Sequence, residues 1–196
     1  SAIDLGVLAG KAAIEQSTLK AEEIDQVILG NVQQTSADAI YGPRHVGPKA
    51  GVPIESPALT VNRLCGSGLE ALIQASRAIR LGDHQVMLAG GVESMSHAPV
   101  LFSEAMAEAF RGANKAAKLP EKLKQFLEVR PKDLLPTLPG VQEPSTGLTM
   151  GEHTEITVKA WEISRALQDE IAFRSHMNAA RATREGRLRD QIHPLG

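Results

Sequence analysis

One passage constrains this chain more than any other: Ala58-Leu59-Thr60-Val61-Asn62-Arg63-Leu64-Cys65-Gly66-Ser67-Gly68. Ala58 to Val61, following Pro57, is an apolar run of strand length. Beyond the glycines, Leu69, Leu72, Ile73 and Ile79 recur at helical spacing with Ala71, Ala75 and Ala78 between them. A strand that turns at once into a helix is the repeating step of a parallel α/β sheet. The turn also carries Cys65, the only cysteine. A thiol at a helix start meets the positive end of the helix dipole and unpaired first-turn N–H groups, which favour thiolate. Gly66 and Gly68 permit a sharp turn and close approach of a ligand. On spacing alone, a reactive thiol and a buried structural cysteine both remain open.

The same alternation continues on either side. Ala2 to about Gln16 is helical, with Leu5, Leu8, Ala12 and Ala13 on one face. Gln26 to Val32 and Gln85 to Ala89 read as buried strands. Asp38 to about Ala50 reads as a helix that Gly42 and Pro43 weaken, and Arg165 to Glu185 as a long helix stopped by Gly186. The expected fold class is α/β, a parallel-rich sheet between helices. From Met95 to about Trp161 the alternation fails. Phe102, Met106, Ala109 and Phe110 form one amphipathic face, and Leu119, Leu123, Phe126 and Leu127 another. Residues 111–132 hold seven basic and two acidic residues, a local charge of +5; the other 14 basic and 21 acidic residues leave −7 elsewhere. This asymmetry marks an inserted, mostly helical loop domain at 95–161, with 1–94 and 162–196 forming the α/β domain around it. The basic segment suits a solvated face, phosphate groups, or peripheral contact with an anionic membrane surface.

Val61 to Ala71 closely resembles the nucleophile segment of the thiolases. Ala89-Gly90-Gly91-Val92-Glu93-Ser94-Met95-Ser96 resembles that family's glycine turn and following loop, Met150-Gly151-Glu152-His153-Thr154-Glu155 its Met-Gly segment, and Ser164-Arg165-Ala166-Leu167-Gln168-Asp169 the start of its next helix. The resemblance implies part of a five-layered αβαβα fold, and an enzyme that cleaves 3-ketoacyl-CoA to acetyl-CoA and a shortened acyl-CoA, or runs the reverse condensation, through an acyl-cysteine. Cys65 is then the nucleophile, its backbone N–H an oxyanion donor. Gly66, Ser67, Thr149 and Met150 are substrate contacts, and Lys115 and Lys118 would attract the coenzyme's phosphates. Coenzyme A is substrate and product, with no permanently bound cofactor. Thiolase subunits are roughly twice this length, so the chain reads as an N-terminal half, inert alone. The first strand is expected mid-sheet and missing, leaving its neighbours unpaired. The family's activating histidine, second cysteine and asparagine belong to the other half; no Gly-His-Pro segment occurs here. The resemblance also implies a homodimer or dimer of dimers.

Thr149 stands where many short-chain acetoacetyl members have histidine. Ser145 to Gly151 and Ala172-Phe173-Arg174-Ser175-His176 look more like thiolase subunits of fatty-acid-oxidising complexes, which would add a partner subunit. A biosynthetic acetoacetyl-CoA-forming acetyltransferase is the alternative. A ketoacyl synthase ranks below it, because its cysteine segment differs and it lacks the Met-Gly motif. Two readings lie outside this chemistry. One is a non-catalytic interaction fragment acting through the amphipathic insert. The other is a dinucleotide-binding module, with Gly66, Gly68 and Ala71 as Gly-x-Gly-x-x-Ala and Glu93 at the ribose. Against the latter, Cys65 directly precedes the first glycine and three motifs go unexplained.

Composition narrows the field. A net charge of −2 with 3% aromatic residues carries no nucleic-acid signature. A single cysteine precludes an internal disulfide framework and suits a reducing compartment, the cytoplasm or, for a eukaryotic source, the mitochondrion. His45, His84, His97, His153, His176 and His193 show no metal-ligand spacing.

Overall fold

The structure, a computed structural model, describes residues 1–136, 140 and 142–195. The expected loop domain at 95–161 therefore includes four positions, 137–139 and 141, outside the described residues. The chain divides into two compact units, Ser1–Pro139 and Gly140–Gly196. This division differs from the borders expected from charge and pattern.

In the first unit, three parallel strands form one sheet in the order β2-β1-β3: β1 at Gln26–Gly30, β2 at Ala58–Val61 and β3 at Met87–Gly91. Val27 lies opposite Ala58 and Gly30 opposite Val61 on one side; on the other, Gln26 lies opposite Met87 and Gly30 opposite Gly91. The sheet is continuous, so no gap for a missing strand lies between these neighbours. The mid-sheet expectation is corrected: the open edges are β2 and β3.

β3 runs on to Gly91, past the expected Ala89, while the start of β3 and the end of β1 are set by carboxylates that take backbone donors. At the start of β3, Asp25 Oδ2 accepts from the Gln85 N–H at 2.6 Å and the Val86 N–H at 3.0 Å. Those two residues therefore leave the ladder, and β3 starts at Met87. The Val86 and Gln85 N–H groups hold the Asp25 carboxyl below the usual carboxylate range. The stabilisation from this clamp is present above the ordinary carboxyl pKa and is lost as pH falls through the lowered one. Beyond Gly30, the Val32 and Gln33 N–H groups turn to Glu93, so β1 stops short of Val32.

Helix α1 spans Ala2–Ser17 and is capped by Ser1 with Asp4 in reciprocal bonds. Its buried face is Ala2, Ile3, Gly6, Gly10 and Ala12, whereas Leu8 is 41% exposed. Of the expected face, Ala12 is buried and Leu5 half-buried, but Leu8 and Ala13 are exposed. Gly6 is the reason: a Cβ there would fall 2.8 Å from Val46 Cγ2. The helix crosses α2, Gly42–Lys49, on its glycines. Pro43 sits in the first turn of α2, where no N–H is needed, so it starts the helix rather than breaking it. Ile3, Ile24, Val27, Leu29, Val46 and Val52 form the core on this side of the sheet.

The other face is covered by α3, Ser67–Leu81, ended by Gly82 at φ 80°. Ile28, Val61 and Ala71 are buried between them. Leu69, Leu72 and Ile79 of α3 remain exposed, an apolar face with no cover among the described residues. After β3 come α4, Glu104–Lys115, capped by Ser103, and α5, Leu119–Lys124. Phe102, Phe110 and Phe126 pack edge-to-face at 5.7 and 5.5 Å, joining the two expected amphipathic faces. The second unit carries α6, Met150–Ala160, and α7, Arg165–Arg184, the latter capped by Ser164.

The contact of α3 with the sheet depends on absent side chains. A Cβ at Gly30 would lie 2.5 Å from the Ser67 carbonyl carbon and 2.7 Å from Gly68 N; one at Gly91 would lie 3.2 Å from Gly68 Cα. Backbone meets backbone, and no rotamer change can make room. Gly90 has only Leu29 Cδ2 nearby, at 3.8 Å. Gly30→Ala should therefore cost about 1–3 kcal/mol in denaturant unfolding, and Gly90→Ala far less. Equal effects would show that the close approach is not a constraint.

Candidate active site

Strands β1, β2 and β3 run parallel, so their carboxyl ends share one edge of the sheet. Outside that edge is where ligands bind in open α/β sheets. Cys65 is placed there by the link between β2 and α3. With Gly30, Val32, Leu64, Ser67, Gly91, Glu93 and Met95 it lines an open concavity of about 280 Å³. Its thiol is free and exposed, which sets aside the structural-cysteine reading.

The turn that presents Cys65 is strained. Leu64, immediately before it, has φ 48°, in the left-handed region that side chains seldom adopt, and is 69% exposed. Local bonds hold it there. Asn62 Oδ1 accepts from the Leu64 N–H at 3.1 Å. Ser67 Oγ accepts from the Arg63 N–H at 2.8 Å and donates to the Leu64 carbonyl at 2.6 Å. At 4% exposure, Ser67 spends its hydroxyl on the turn itself. Arg63 Nη1 also meets Glu70 Oε2 at 2.7 Å. Hydrogen bonds from Gln74 and Arg63 keep the Glu70 carboxyl below its usual value.

Helix α3 begins at Ser67 with Gly66 as its cap, so Cys65 lies one residue outside the helix rather than within its first turn. The Gly66 and Ser67 N–H groups are already bonded to the carbonyls of Arg63 and Leu64. Two of the donors expected to face an anion are thus occupied.

The opposite wall is organised by Glu93. Its carboxylate accepts from Asn31 Nδ2 at 3.1 Å, the Val32 N–H at 2.9 Å and the Gln33 N–H at 3.2 Å. This commits Glu93 to the chain itself and corrects the ribose-binding alternative. Ser94, buried, meets His97 Nδ1 at 2.8 Å.

Lys115 ends α4 and Lys118 precedes α5, both exposed. Thr149 and Met150 belong to the second unit. Thr149 is the cap of α6: its Oγ1 accepts from the Glu152 N–H at 3.3 Å, while Glu152 Oε2 accepts from the Thr149 N–H at 2.7 Å. The Thr-x-x-Glu spacing 149–152 is a capping-box signature that sequence reading could have used. Met150, the first residue of α6, is 60% exposed. Sequence reading also missed the Ser67 clasp, which is local, and the Glu93 anchor, whose partner Val32 lies 61 residues away. Among the described residues, no group of three or more His, Cys, Asp or Glu could hold a metal ion, and no helix is long and apolar enough to cross a membrane.

The family model of the thiolase N-terminal domain matches residues 1–196. The chain belongs to the thiolase family. It is 36% identical to a 3-ketoacyl-CoA thiolase of Klebsiella pneumoniae (strain 342) over 191 residues, 97% of this chain and 44% of that protein. A 3-ketoacyl-CoA thiolase of Yersinia pestis (strain Pestoides F) is 37% identical over the same shares. Among solved structures, human mitochondrial 3-ketoacyl-CoA thiolase in complex with CoA aligns with TM-score 0.77 and 33% identity, covering all of this chain and 45% of that one. The Bacillus anthracis acetyl-CoA acetyltransferase aligns at 0.75 and 30%, covering 98% and 44%. The chain thus spans under half the length of the relatives it matches.

Ser67→Ala removes both bonds of the clasp and leaves the Arg63 N–H without its partner. It should cost about 1–3 kcal/mol of stability and, in the full-length thiolase, change the rate at which iodoacetamide alkylates Cys65. Unaltered stability and alkylation would mean the turn holds its strained shape without Ser67.

Proposed function

We propose that the full-length protein is an acyltransferase that cleaves 3-ketoacyl-CoA by thiolysis, with Cys65 as nucleophile. The observation carrying this reading is an exposed thiol on a strained turn, facing an open concavity at the carboxyl edge of a parallel sheet. The Cys65 sulfur attacks the 3-keto carbon, and the bond between C2 and C3 breaks. Acetyl-CoA leaves as its enolate and is protonated, and the acyl group stays on Cys65. The thiol of a second coenzyme A then takes that acyl group and returns the cysteine. Sulfur suits this exchange because it is both a good nucleophile and a good leaving group.

Cys65, Gly66 and Ser67 play different parts in this reading. Cys65 carries the acyl group, Gly66 caps α3 with an ordinary backbone conformation at φ −85°, and Ser67 holds the turn rather than the substrate. Thr149 caps α6, and a part for Met150 in acyl binding stands on the family resemblance alone. Proton transfer falls to groups outside this chain, as the resemblance implies. Degradation of 3-ketoacyl-CoA is favoured by the relatives' names. The reverse, acetoacetyl-CoA-forming direction uses the same bonds, and the likeness to an acetyl-CoA acetyltransferase supports it as the second reading. The uncovered apolar face of α3 supports an assembly in which another domain or subunit lies against it. A free, exposed cysteine fits a reducing compartment, the cytoplasm or the mitochondrial matrix.

Cys65→Ser in the full-length protein should lower kcat by about a thousandfold or more, since a neutral hydroxyl without a matched base is a poor nucleophile. Undiminished turnover would remove Cys65 from the mechanism.

The segment 111–132 should draw the coenzyme's phosphates electrostatically, over a screening length of about 8 Å at physiological salt. Replacing Lys115, Lys118, Lys122 and Lys124 by Gln should raise KM for acyl-CoA at low salt and leave kcat nearly unchanged. Identical KM values and salt slopes in both proteins would reduce the segment to a solvated face.

A further inference from the structure

Glu93 lies on β3's side of the concavity and Cys65 on β2's, with the end of β1 between them. A chain of hydrogen bonds crosses that gap. Glu93 Oε2 accepts from the Val32 N–H at 2.9 Å. The Val32 carbonyl accepts from Asn62 Nδ2 at 3.3 Å. Asn62 Oδ1 accepts from the N–H of Leu64 at 3.1 Å. Leu64 is the residue at φ 48° that precedes Cys65. The geometry points to Glu93 as a positioning residue that fixes the Cys65 turn through Val32 and Asn62. This inference rests on Cys65 being the nucleophile.

Two further observations favour an anchor here over an incidental contact. Asn31 Nδ2, the Val32 N–H and the Gln33 N–H converge on one carboxylate, and Asn31 Nδ2 also donates to the Val92 carbonyl at 2.9 Å. Meanwhile Asn31 Oδ1 and Gln33 Oε1 are buried with no partner among the described residues. The segment after β1 is thus tied down through its donors. A carboxylate answers three donors with acceptors alone; an amide at 93 would turn an NH2 toward some of them. On the far side, Asn62 uses both ends of its amide, one toward Val32 and one toward the strained Leu64. A left-handed leucine persists only where surrounding bonds over-determine it. The relay supplies part of that restraint from a third strand.

The test uses the full-length thiolase as wild type, Glu93→Gln and Asn62→Asp, with hydrogen exchange read peptide by peptide alongside kcat, KM and thermal stability. Asp at 62 keeps the acceptor for Leu64 but loses the donor to Val32. In Glu93→Gln, exchange should speed up at 31–33 and also at 62–66. In Asn62→Asp it should speed up at 62–66 alone. Both variants should lose about tenfold or more in kcat with KM within about twofold, as displacement of a reacting group does. In the double variant the two effects should fall well short of additive. Faster exchange confined to 31–33 in Glu93→Gln, or full additivity, would overturn the relay and leave Glu93 a local brace. If Glu93→Gln does not fold, Glu93→Asp, which keeps the charge on a shorter stem, gives the same exchange readout. Exchange needs no turnover, so an inactive wild type would sink the proposed reaction while still deciding the relay.

Discussion

The architecture around Cys65 hangs on the contact between the first turn of α3 and the ends of β1 and β3. Gly30 and Gly91 face each other across the β1–β3 ladder, and Gly68 of the helix rests on both. Because all three lack side chains, the helix backbone reaches the sheet backbone directly. That approach fixes where the link from β2 must end, and so where the thiol emerges. It also explains why the link is so short: between Val61 and Ser67 the chain must reverse from sheet to helix, and Leu64 absorbs the strain. The strain is met locally by Ser67 and Asn62, and at longer range by the Glu93 carboxylate.

Much of this was legible from the chain alone, for physical reasons. β2 and α3 follow directly from an apolar run, a glycine pair and a helical repeat, and α7 from its length and glycine stop. The ends of β1 and β3 were not legible. They are set by Asp25 and Glu93, side chains that reach sixty residues across the sequence to take backbone donors. Periodicity carries no record of such contacts. The face of α1 was misread because leucines outweigh glycines in any pattern of hydrophobicity, although it is Gly6 and Gly10 that let Val46 come close. Sheet order was likewise beyond pattern reading, since it depends on long-range pairing.

The site shows the same division. Cys65 stood out because it is unique and flanked by glycines. Other roles could not be read from composition: the Ser67 hydroxyl bonds to the turn on both sides, and the Thr149 hydroxyl caps α6. Among the described residues that line the concavity there is no histidine. On the proposed reading, this chain contributes the nucleophile and its rigid mounting. The proton-transfer groups come from elsewhere in the full protein, which accords with a chain covering 44–45% of its relatives. The exposed apolar residues of α3 form a surface that such a second half can cover.

The central claim is that Cys65 carries an acyl group. Its most direct test is peptide mass spectrometry of the full-length protein after brief exposure to acetyl-CoA and acid quench. The account predicts one acetyl group, held as a thioester labile to hydroxylamine, on the peptide containing Cys65. Acetylation at another residue with Cys65 unmodified, while the protein turns over substrate, would contradict it.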